Sequence, residues 1–210
     1  ACIAEFKRRS PSKGWIRERA DPSSVASAYQ AAGATAVSVL TDGPFFGGSL
    51  EDLRQVRNAV AIPVLRKDFV VDPYQVAEAR AAGADAILLI VAALSRGDLV
   101  ALLAEARRWG LHVLVETHDR QEVETALAVG ARIIGINHRD LRTFHMNMDL
   151  ATGLRPSIPP DRVVVAESGI RTVEDVARMR AAGIDAILVG ESLMAAPDPG
   201  LALGNLLGGV

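Results

Sequence analysis

The sequence predicts a single α/β domain over residues 1–210, folded as a (β/α)₈ or TIM barrel with eight parallel strands. Three observations support this fold class: the composition, a repeated helix-to-strand junction, and the number of strand-like segments. The chain has 210 residues, of which 50% are hydrophobic and only 4% aromatic. That length forms one buried core but not two ordinary domains, and the aliphatic bias is typical of helices packed on a buried parallel sheet.

Four segments share one pattern, in which a helix ends in glycine and an apolar strand follows at once. They are AYQAAGATAVSVL, EARAAGADAILLI, ALAVGARIIGIN and RMRAAGIDAILVG, with glycines at Gly33, Gly83, Gly130 and Gly183. Glycine directly after a helix supplies the left-handed residue that ends it, so each copy marks a helix-to-strand junction. The glycines lie roughly 50 residues apart, which leaves room in each interval for one further strand and helix.

The missing strands are the apolar segments CIAEFK, PVLRKDF, LHVLVE and RVVVAE, which fall at the odd-numbered positions of an eight-strand series. Helix start signals stand after the strands at Asp21, Ser49, Asp72, Asp119 and Thr172. Each is a residue type that caps a helix N-terminus with its side-chain oxygen. An open doubly wound sheet is the alternative, but it usually has fewer units and a glycine-rich first turn.

The composition also restricts the partners and the location. The net charge is −2 and no basic tract is present, so we expect a small-molecule partner and neither nucleic acid nor a membrane surface. The longest apolar run, residues 86–94, is too short to cross a bilayer. A lone cysteine, Cys2, cannot form an intramolecular disulfide, which favours a reducing compartment such as the cytoplasm.

Several strands turn polar toward their carboxyl ends on alternate residues. The residues that share these inward faces are Glu5, Lys7, Lys67, Glu116, Asn137, Arg139 and Glu167. Because catalytic groups of such barrels lie where strands end and loops begin, we expect these side chains to converge at one mouth. Paired and desolvated, they would have shifted pKa values. The alternative is a set of structural ion pairs around the barrel rim.

The loops after the last two strands contain glycine and a small polar residue. They read Glu167-Ser168-Gly169 and Gly190-Glu191-Ser192, with a short helix predicted at residues 192–194. Glycine lets backbone N–H groups approach an anion, and a helix N-terminus attracts one, so the loops predict a phosphate site. A tight turn also requires glycine. The Glu191 carboxylate would repel phosphate unless its side chain turns away.

The sequence resembles the indole-3-glycerol phosphate synthases in the order and spacing of its motifs, over nearly the whole chain. The segments that carry the resemblance are EFKRRSPSKG, LTDGPFFGGSLEDL, PVLRKDFVVDPYQVAEARAAGADAILLIVAAL, LVETHD, GINHRDLRTF, AESGIRT and VGESLM. The resemblance implies a cofactor-free carbon–carbon lyase of tryptophan biosynthesis. Such an enzyme closes the indole ring of 1-(2-carboxyphenylamino)-1-deoxyribulose 5-phosphate and releases carbon dioxide and water.

The resemblance also implies catalytic roles. Lys67 is the general acid that protonates the carbonyl oxygen, and Asn137 hydrogen-bonds the developing hydroxyl. Glu116 is a candidate base for the dehydration, with Glu5 as its rival. Lys7 helps to hold the carboxylate that leaves, and it competes with Lys67 as the acid of the dehydration.

The remaining implied residues bind or orient the substrate. They are Ser10 for the leaving carboxylate, Phe46, Phe69 and Leu88 for the aromatic ring, Arg139 and Glu167 for orientation, and Ser168, Gly169, Gly190 and Glu191 for the phosphate. Phe69 and Leu88 could equally be plain core residues, whereas Phe46 lies in a glycine-rich loop with no obvious packing partner.

The histidines show no metal-ligand spacing, so we expect no metal. The resemblance implies that no other cofactor is needed. His138 and His145 are predicted on the surface and His112 deep in the fifth strand. Two departures from the family stand out. His138 replaces an asparagine, with little effect expected, and the family's extension before the first strand is expected to be absent.

Two other functions are compatible with the sequence. One is a different phosphate-binding barrel, an isomerase of amino-acid biosynthesis. Such an isomerase needs one acid and one base, so it would not require all of Lys7, Lys67 and Glu116. The other is a non-catalytic, truncated barrel that binds anionic sugars without turnover. We expect either a monomer or a chain that associates with other enzymes of the tryptophan pathway.

Overall fold

The computed structural model describes residues 1–140 and 142–208, and its strands form a closed parallel barrel. The strands of this part of the chain are β1 (Cys2–Phe6), β2 (Arg9–Ser10), β3 (Gly14–Trp15), β4 (Ala36–Leu40), β5 (Val64–Lys67), β6 (Ala86–Ile90), β7 (His112–Thr117), β8 (Ile133–Asn137), β9 (Val163–Glu167) and β10 (Ala186–Val189). The barrel runs in the order β1-β10-β9-β8-β7-β6-β5-β4 and closes from β4 to β1. The predicted TIM barrel is confirmed.

Helices surround the barrel on its outer face. Those of the described residues are α1 (Pro22–Ala31), α2 (Gly43–Phe46), α3 (Leu50–Ala59), α4 (Pro73–Ala81), α5 (Arg96–Arg108), α6 (Arg120–Ala128), α7 (Leu150–Leu154), α8 (Val173–Ala181), α9 (Glu191–Ala195) and α10 (Pro199–Leu206). Two 3₁₀ turns, Val91–Ala93 and Arg155–Ser157, complete the set. None of these helices is long and apolar enough to cross a membrane.

The predicted capping residues and glycines lie at the ends of the helices. The capping side chains of Asp21, Ser49, Asp72, Asp119 and Thr172 each accept a backbone N–H at the start of their helix. The four repeated glycines have φ angles between 76° and 95°, a region that residues with a side chain rarely adopt. Both predictions are confirmed.

The aspartates of two repeats extend the sheet at the amino end of the barrel. Oδ2 of Asp85 accepts the Val64 N–H at 2.9 Å, and Oδ2 of Asp185 accepts the Val164 N–H at 2.8 Å. Each aspartate thereby satisfies a backbone donor at the start of a neighbouring strand, the first residue of β5 and the second of β9. These contacts stabilise the amino end of the barrel. Catalytic groups are therefore expected at the carboxyl ends of the strands.

The core has two parts, one between strands and helices and one inside the barrel. The inner part consists of Leu65, Leu88, Ile90, Leu114, Val165, Ala186 and Leu188. These are alternate strand residues, and the polar side chains of the same faces follow them toward the carboxyl ends. Leu88 is 2% exposed.

The hairpin β2–β3 and its flanks pack over the barrel mouth, and this hairpin was not predicted. Arg8 donates two hydrogen bonds to Asp52 of α3, at 2.6 and 2.9 Å. Arg17 donates to the carbonyl oxygens of Met194, at 3.1 Å, and of Ala196. The loop is therefore attached to both sides of the mouth.

Two of the three histidine placements were wrong. His112 is exposed because β7 begins with it at the amino end of the barrel, where the interior opens to solvent. His138 is 1% exposed, because the chain after it folds back and pairs Met146 with Arg139. His145 is exposed, as predicted.

Candidate active site

A cavity of about 370 Å³ opens at the carboxyl ends of the barrel strands. Every residue predicted to act in catalysis or in substrate binding borders it. They are Glu5, Lys7, Ser10, Phe46, Lys67, Phe69, Leu88, Glu116, Asn137, Arg139, Glu167, Ser168, Gly169, Gly190 and Glu191. The strand-end polar residues therefore meet in one place, although their individual roles stay predictions.

Lys67, at the end of β5, is surrounded by carboxylates on the floor of the cavity. Its Nζ lies 3.3 Å from Oε2 of Glu116 and 3.7 Å from Oε2 of Glu167. Both glutamates are 1% exposed. Asn137 donates from Nδ2 to Oε1 of Glu116 at 3.2 Å. Each buried charge thus has a partner, which a low-dielectric site requires.

The ion pair between Lys67 and Glu116 shifts both pKa values away from their ordinary range. Burial alone would lower the pKa of Lys67, but the acidic side chains around it, Glu116 first and then Glu167 and Glu5, outweigh burial and raise that pKa. Burial would raise the pKa of Glu116, but Lys67, His118 and Asn137 together lower it well below its usual range. Lys67 is an ammonium and Glu116 a carboxylate at neutral pH.

Glu167 differs from Glu116 although both are buried beside the same cation. Burial and the negative charge of Glu116 raise the pKa of Glu167 to about 8, against the opposing effect of Lys67. Glu167 is therefore mostly a neutral acid at pH 7. Its carboxyl group fits because Gly135 of β8 has no side chain: a Cβ there would lie 2.2 Å from Oε1 of Glu167.

A second ion pair joins Glu5 and Lys7 at the end of β1. The Lys7 Nζ lies 2.6 Å from Oε1 of Glu5. Glycine at position 190 makes room for this carboxylate, because a Cβ there would lie 2.4 Å from the same oxygen. Gly190 was predicted for phosphate binding, and the structure adds this second reason for a glycine.

A buried arginine supports the loop that follows Lys67. Arg66 is 4% exposed and points to the opposite face of β5. It contacts Asp68 at 3.0 Å and Glu78 at 2.9 Å, and it donates to Oγ1 of Thr41 at 3.1 Å. This network holds the end of β5 against β4 and α4, and therefore fixes where Lys67 enters the cavity.

The aromatic side of the cavity is formed by Phe46 of α2 and by Phe69. Their ring centroids are 6.5 Å apart at an interplanar angle of 41°. Phe46 thus has a packing partner that the sequence did not reveal, and Phe69 is 41% exposed rather than a core residue. Phe45 and Phe144 also border the cavity and were not predicted.

The two predicted phosphate loops lie on the opposite side. Ser168 and Gly169 both have positive φ, 66° and 80°, which turns the chain sharply after β9. Helix α9 begins at Glu191, one residue earlier than predicted. The Glu191 carboxylate lies 3.3 Å from Nη2 of Arg139 and 3.6 Å from Nη2 of Arg171. These cations compensate the negative charge of Glu191.

His138 supports the first of these loops from below. Its Nδ1 lies 2.9 Å from the carbonyl oxygen of Ser168. A carbonyl oxygen only accepts, so Nδ1 carries the proton. Burial lowers the pKa of His138, which keeps the ring neutral at pH 7. The expectation of a surface position is therefore corrected, since His138 contacts the strained Ser168 backbone directly. The expectation of little effect on function stays a prediction.

Sequence reasoning missed His118, which contacts Glu116. Its Nε2 lies 3.1 Å from Oε1 of Glu116, and its Nδ1 lies 3.1 Å from Oε2 of Glu122. Alternation along β7 could have indicated it, because His118 follows Glu116 by two residues. Within residues 1–140 and 142–208, no group of three or more His, Cys, Asp or Glu side chains is arranged to hold a metal ion.

The fold and the site together define a (β/α)₈-barrel enzyme whose cavity is lined by paired acidic and basic side chains. Residues 1–206 match the protein family described as indole-3-glycerol phosphate synthase. The chain belongs to this family.

Curated relatives agree with the family match. The indole-3-glycerol phosphate synthase of Rhodopirellula baltica is 54% identical over 205 residues, which cover 98% of this chain and 79% of the relative. Indole-3-glycerol phosphate synthase 2 of Streptomyces coelicolor is 54% identical over 208 residues, or 99% and 81% of the two chains.

Solved structures with distant sequences share the fold. A thiamine phosphate pyrophosphorylase from Pyrococcus furiosus superimposes with a TM-score of 0.71 at 18% identity, covering 98% of this chain and 92% of the other. A mandelate oxidase variant with bound (S)-mandelic acid gives 0.73 at 16% identity, covering 98% and 69%. At such identities the likeness concerns the barrel and carries no function.

Proposed function

We propose that the chain is a cofactor-independent carboxy-lyase that converts 1-(2-carboxyphenylamino)-1-deoxyribulose 5-phosphate to indole-3-glycerol phosphate in tryptophan biosynthesis. The observation that carries this proposal is the Lys67 ammonium, held between the Glu116 and Glu167 carboxyl groups on the floor of the cavity. A carbonyl group placed there would meet a cationic proton donor at the point where an aromatic carbon attacks it.

The cavity has complementary places for the three parts of this substrate. The loops at Ser168–Gly169 and Gly190 offer backbone N–H groups to the phosphate. Phe46 and Phe69 offer apolar surface to the aromatic ring, above the buried Leu88. Lys7 and Ser10 lie at the hairpin side, where a cation and a hydroxyl group can hold the carboxylate.

The first chemical step forms a carbon–carbon bond. The ring carbon that bears the carboxylate attacks the ketone carbon, and the ketone oxygen takes a proton from Lys67. The raised pKa of Lys67 ensures that this proton is present. An alkoxide is more basic than an alkylamine, so the transfer is favourable once the bond forms. Loss of carbon dioxide then leaves its electron pair in the ring and restores aromaticity.

The second step removes water. A base takes the proton of the ring nitrogen or of the adjacent carbon, and the hydroxyl group leaves as water after it is protonated. Glu116 and Glu5 are the candidate bases, and Lys7 and Lys67 are the candidate acids; all four border the cavity. Asn137 holds Glu116 and can also hydrogen-bond the departing hydroxyl. Arg139 and Glu167 orient these groups.

The chemistry requires no metal or organic cofactor, because the ring nitrogen supplies electrons and the ketone accepts them. We therefore propose that activity survives a chelator. We also propose a cytoplasmic location, since the substrate and the product are phosphorylated metabolites, and either a monomer or association with other enzymes of the pathway.

The test is to incubate the 210-residue chain with the carboxyphenylamino substrate and excess EDTA while following indole fluorescence. Product formed at an enzymatic rate supports the proposal. Turnover of an aminoaldose phosphate without indole formation would favour the isomerase alternative. Tight binding of the substrate without either reaction would favour the non-catalytic barrel.

A further inference from the structure

The imidazole of His118 connects a buried carboxylate of the cavity to the first turn of a helix. On one side Nε2 lies 3.1 Å from Oε1 of Glu116, and on the other Nδ1 lies 3.1 Å from Oε2 of Glu122 in α6. Glu122 also accepts the backbone N–H of His118 at 2.7 Å. His118 is therefore held at both its backbone and its ring.

His118 reaches Glu116 from outside the cavity. Glu116 borders the cavity, and His118 does not. Oε2 of Glu116 is occupied by Lys67 at 3.3 Å, whereas Oε1 is shared between Asn137 at 3.2 Å and His118. Without His118, Oε1 of Glu116 would keep only its contact with the Asn137 amide out of these two. The Glu116 carboxylate could then rotate about the Cγ–Cδ bond.

The charges around His118 favour the imidazolium form. Burial lowers the pKa of His118, but hydrogen bonds and charge from Glu116 and Glu122 outweigh it and raise the pKa to about 9. The charged groups that face it are Glu116 from β7 and Glu122 from α6, with Lys67 of β5 beyond Glu116. Nδ1 is hydrogen-bonded to Glu122, whereas Nε2 faces Glu116 as an ion pair. Only the imidazolium presents a protonated nitrogen and a positive charge to both carboxylates.

We propose that His118, held by Glu122, is a positioning residue that keeps the Glu116 carboxylate ionised and correctly turned for its part in the reaction. The proposal rests on the proposed function, in which Glu116 is a candidate base. His118 does not border the cavity, so its effect on the reaction is exerted through Glu116.

Kinetics of His118→Ala, His118→Gln and Glu122→Gln test this role, with Glu124→Gln as the control on an exposed position of the same helix. For His118→Ala, kcat is expected to fall about tenfold or more while KM changes less than about threefold. Loss of the cation raises the pKa of Glu116, so the acid limb of the kcat profile moves to higher pH. His118→Gln should recover part of kcat but keep the displaced limb.

Glu122→Gln should move the same limb in the same direction by less, because the imidazole remains but holds its proton less tightly. Glu124→Gln should match the wild type. Wild-type kcat and an unmoved pH profile in His118→Ala would overturn the proposal. So would losses that thermal unfolding alone accounts for, with the pH profile unchanged.

NMR titration of the His118 ring gives a readout that needs no turnover. Comparison with His118→Gln assigns its signals among those of the four histidines. In the wild type the ring should titrate near pH 9, and in Glu116→Gln and Glu122→Gln at lower pH. A wild-type midpoint at or below 6.5 would refute the coupling. High titration in a protein without turnover would refute the proposed function and leave the coupling intact.

Discussion

The Nζ of Lys67 lies 3.3 Å from Oε2 of Glu116, although the two residues are contributed by strands β5 and β7, which are separated by β6 in the barrel. Both side chains border the cavity, as do Leu88 and Ile90, the inward residues of the intervening strand β6. Neither charge would be stable there alone, because an unpaired buried charge costs several kcal/mol. The pair therefore keeps a proton donor and a proton acceptor ready in one desolvated place.

The raised pKa of Glu167 predicts a specific dependence of stability on pH. The folded state holds the proton up to about pH 8, whereas the unfolded state loses it near its ordinary value of 4.5. Between these limits the folded state binds more protons, so this residue's contribution to stability falls as pH rises, by at most about 1.4 kcal/mol per pH unit.

Glu167→Gln removes this titration while keeping the shape of the side chain. Urea unfolding at pH 5, 6.5 and 8 should show the variant gaining stability relative to the wild type as pH rises. Parallel stability curves for the two proteins would show that Glu167 titrates normally.

Gly135→Ala should distort the floor of the cavity, because its Cβ would lie 2.2 Å from Oε1 of Glu167 and 3.3 Å from Cδ1 of Leu114. We expect a loss of about 1–3 kcal/mol in unfolding free energy together with a lower turnover. Gly153→Ala in α7 is the matched control, since a Cβ there meets nothing within 4 Å. Equal stability of the two variants would contradict the steric argument.

Arg66→Met should destabilise the protein by about 3–5 kcal/mol, because it leaves Asp68 and Glu78 without their buried cation. Chemical denaturation measures the loss. Arg54→Met removes an exposed pair with Glu51 and should cost less than about 1 kcal/mol. If Arg66→Met cost no more than this control, the network could not be what fixes the end of β5.

His138→Ala should weaken substrate binding more than chemistry, because its ring holds the Ser168 carbonyl at the phosphate loop. The expected result is a KM raised about threefold to tenfold with kcat within about twofold, the pattern of lost uniform binding. His145→Ala, on an exposed position, is the control. An unchanged KM in His138→Ala would restore the original expectation of little effect.

The fold was largely predictable because its signals are local. A glycine after a helix and a capping residue before one act within a few residues, and the repeat multiplies them. The inward polar faces followed from strand alternation alone. These signals located Lys67, Glu116 and Asn137 at the mouth without any knowledge of contacts.

What the sequence could not reveal depends on contacts between distant segments. The space for Glu167 is created by Gly135, and that for Glu5 by Gly190. The burial of His138 depends on a chain reversal that pairs Arg139 with Met146. Alternation predicts which way a strand residue points, but not what later covers it.

Lys67→Met tests most directly whether Lys67 protonates the substrate in the cavity. Methionine keeps most of the side chain's length and removes the ammonium. Single-turnover indole formation, with substrate affinity measured separately, should show a rate lower by about 10²–10⁴-fold with binding and folding retained. A near wild-type rate in Lys67→Met would contradict the account.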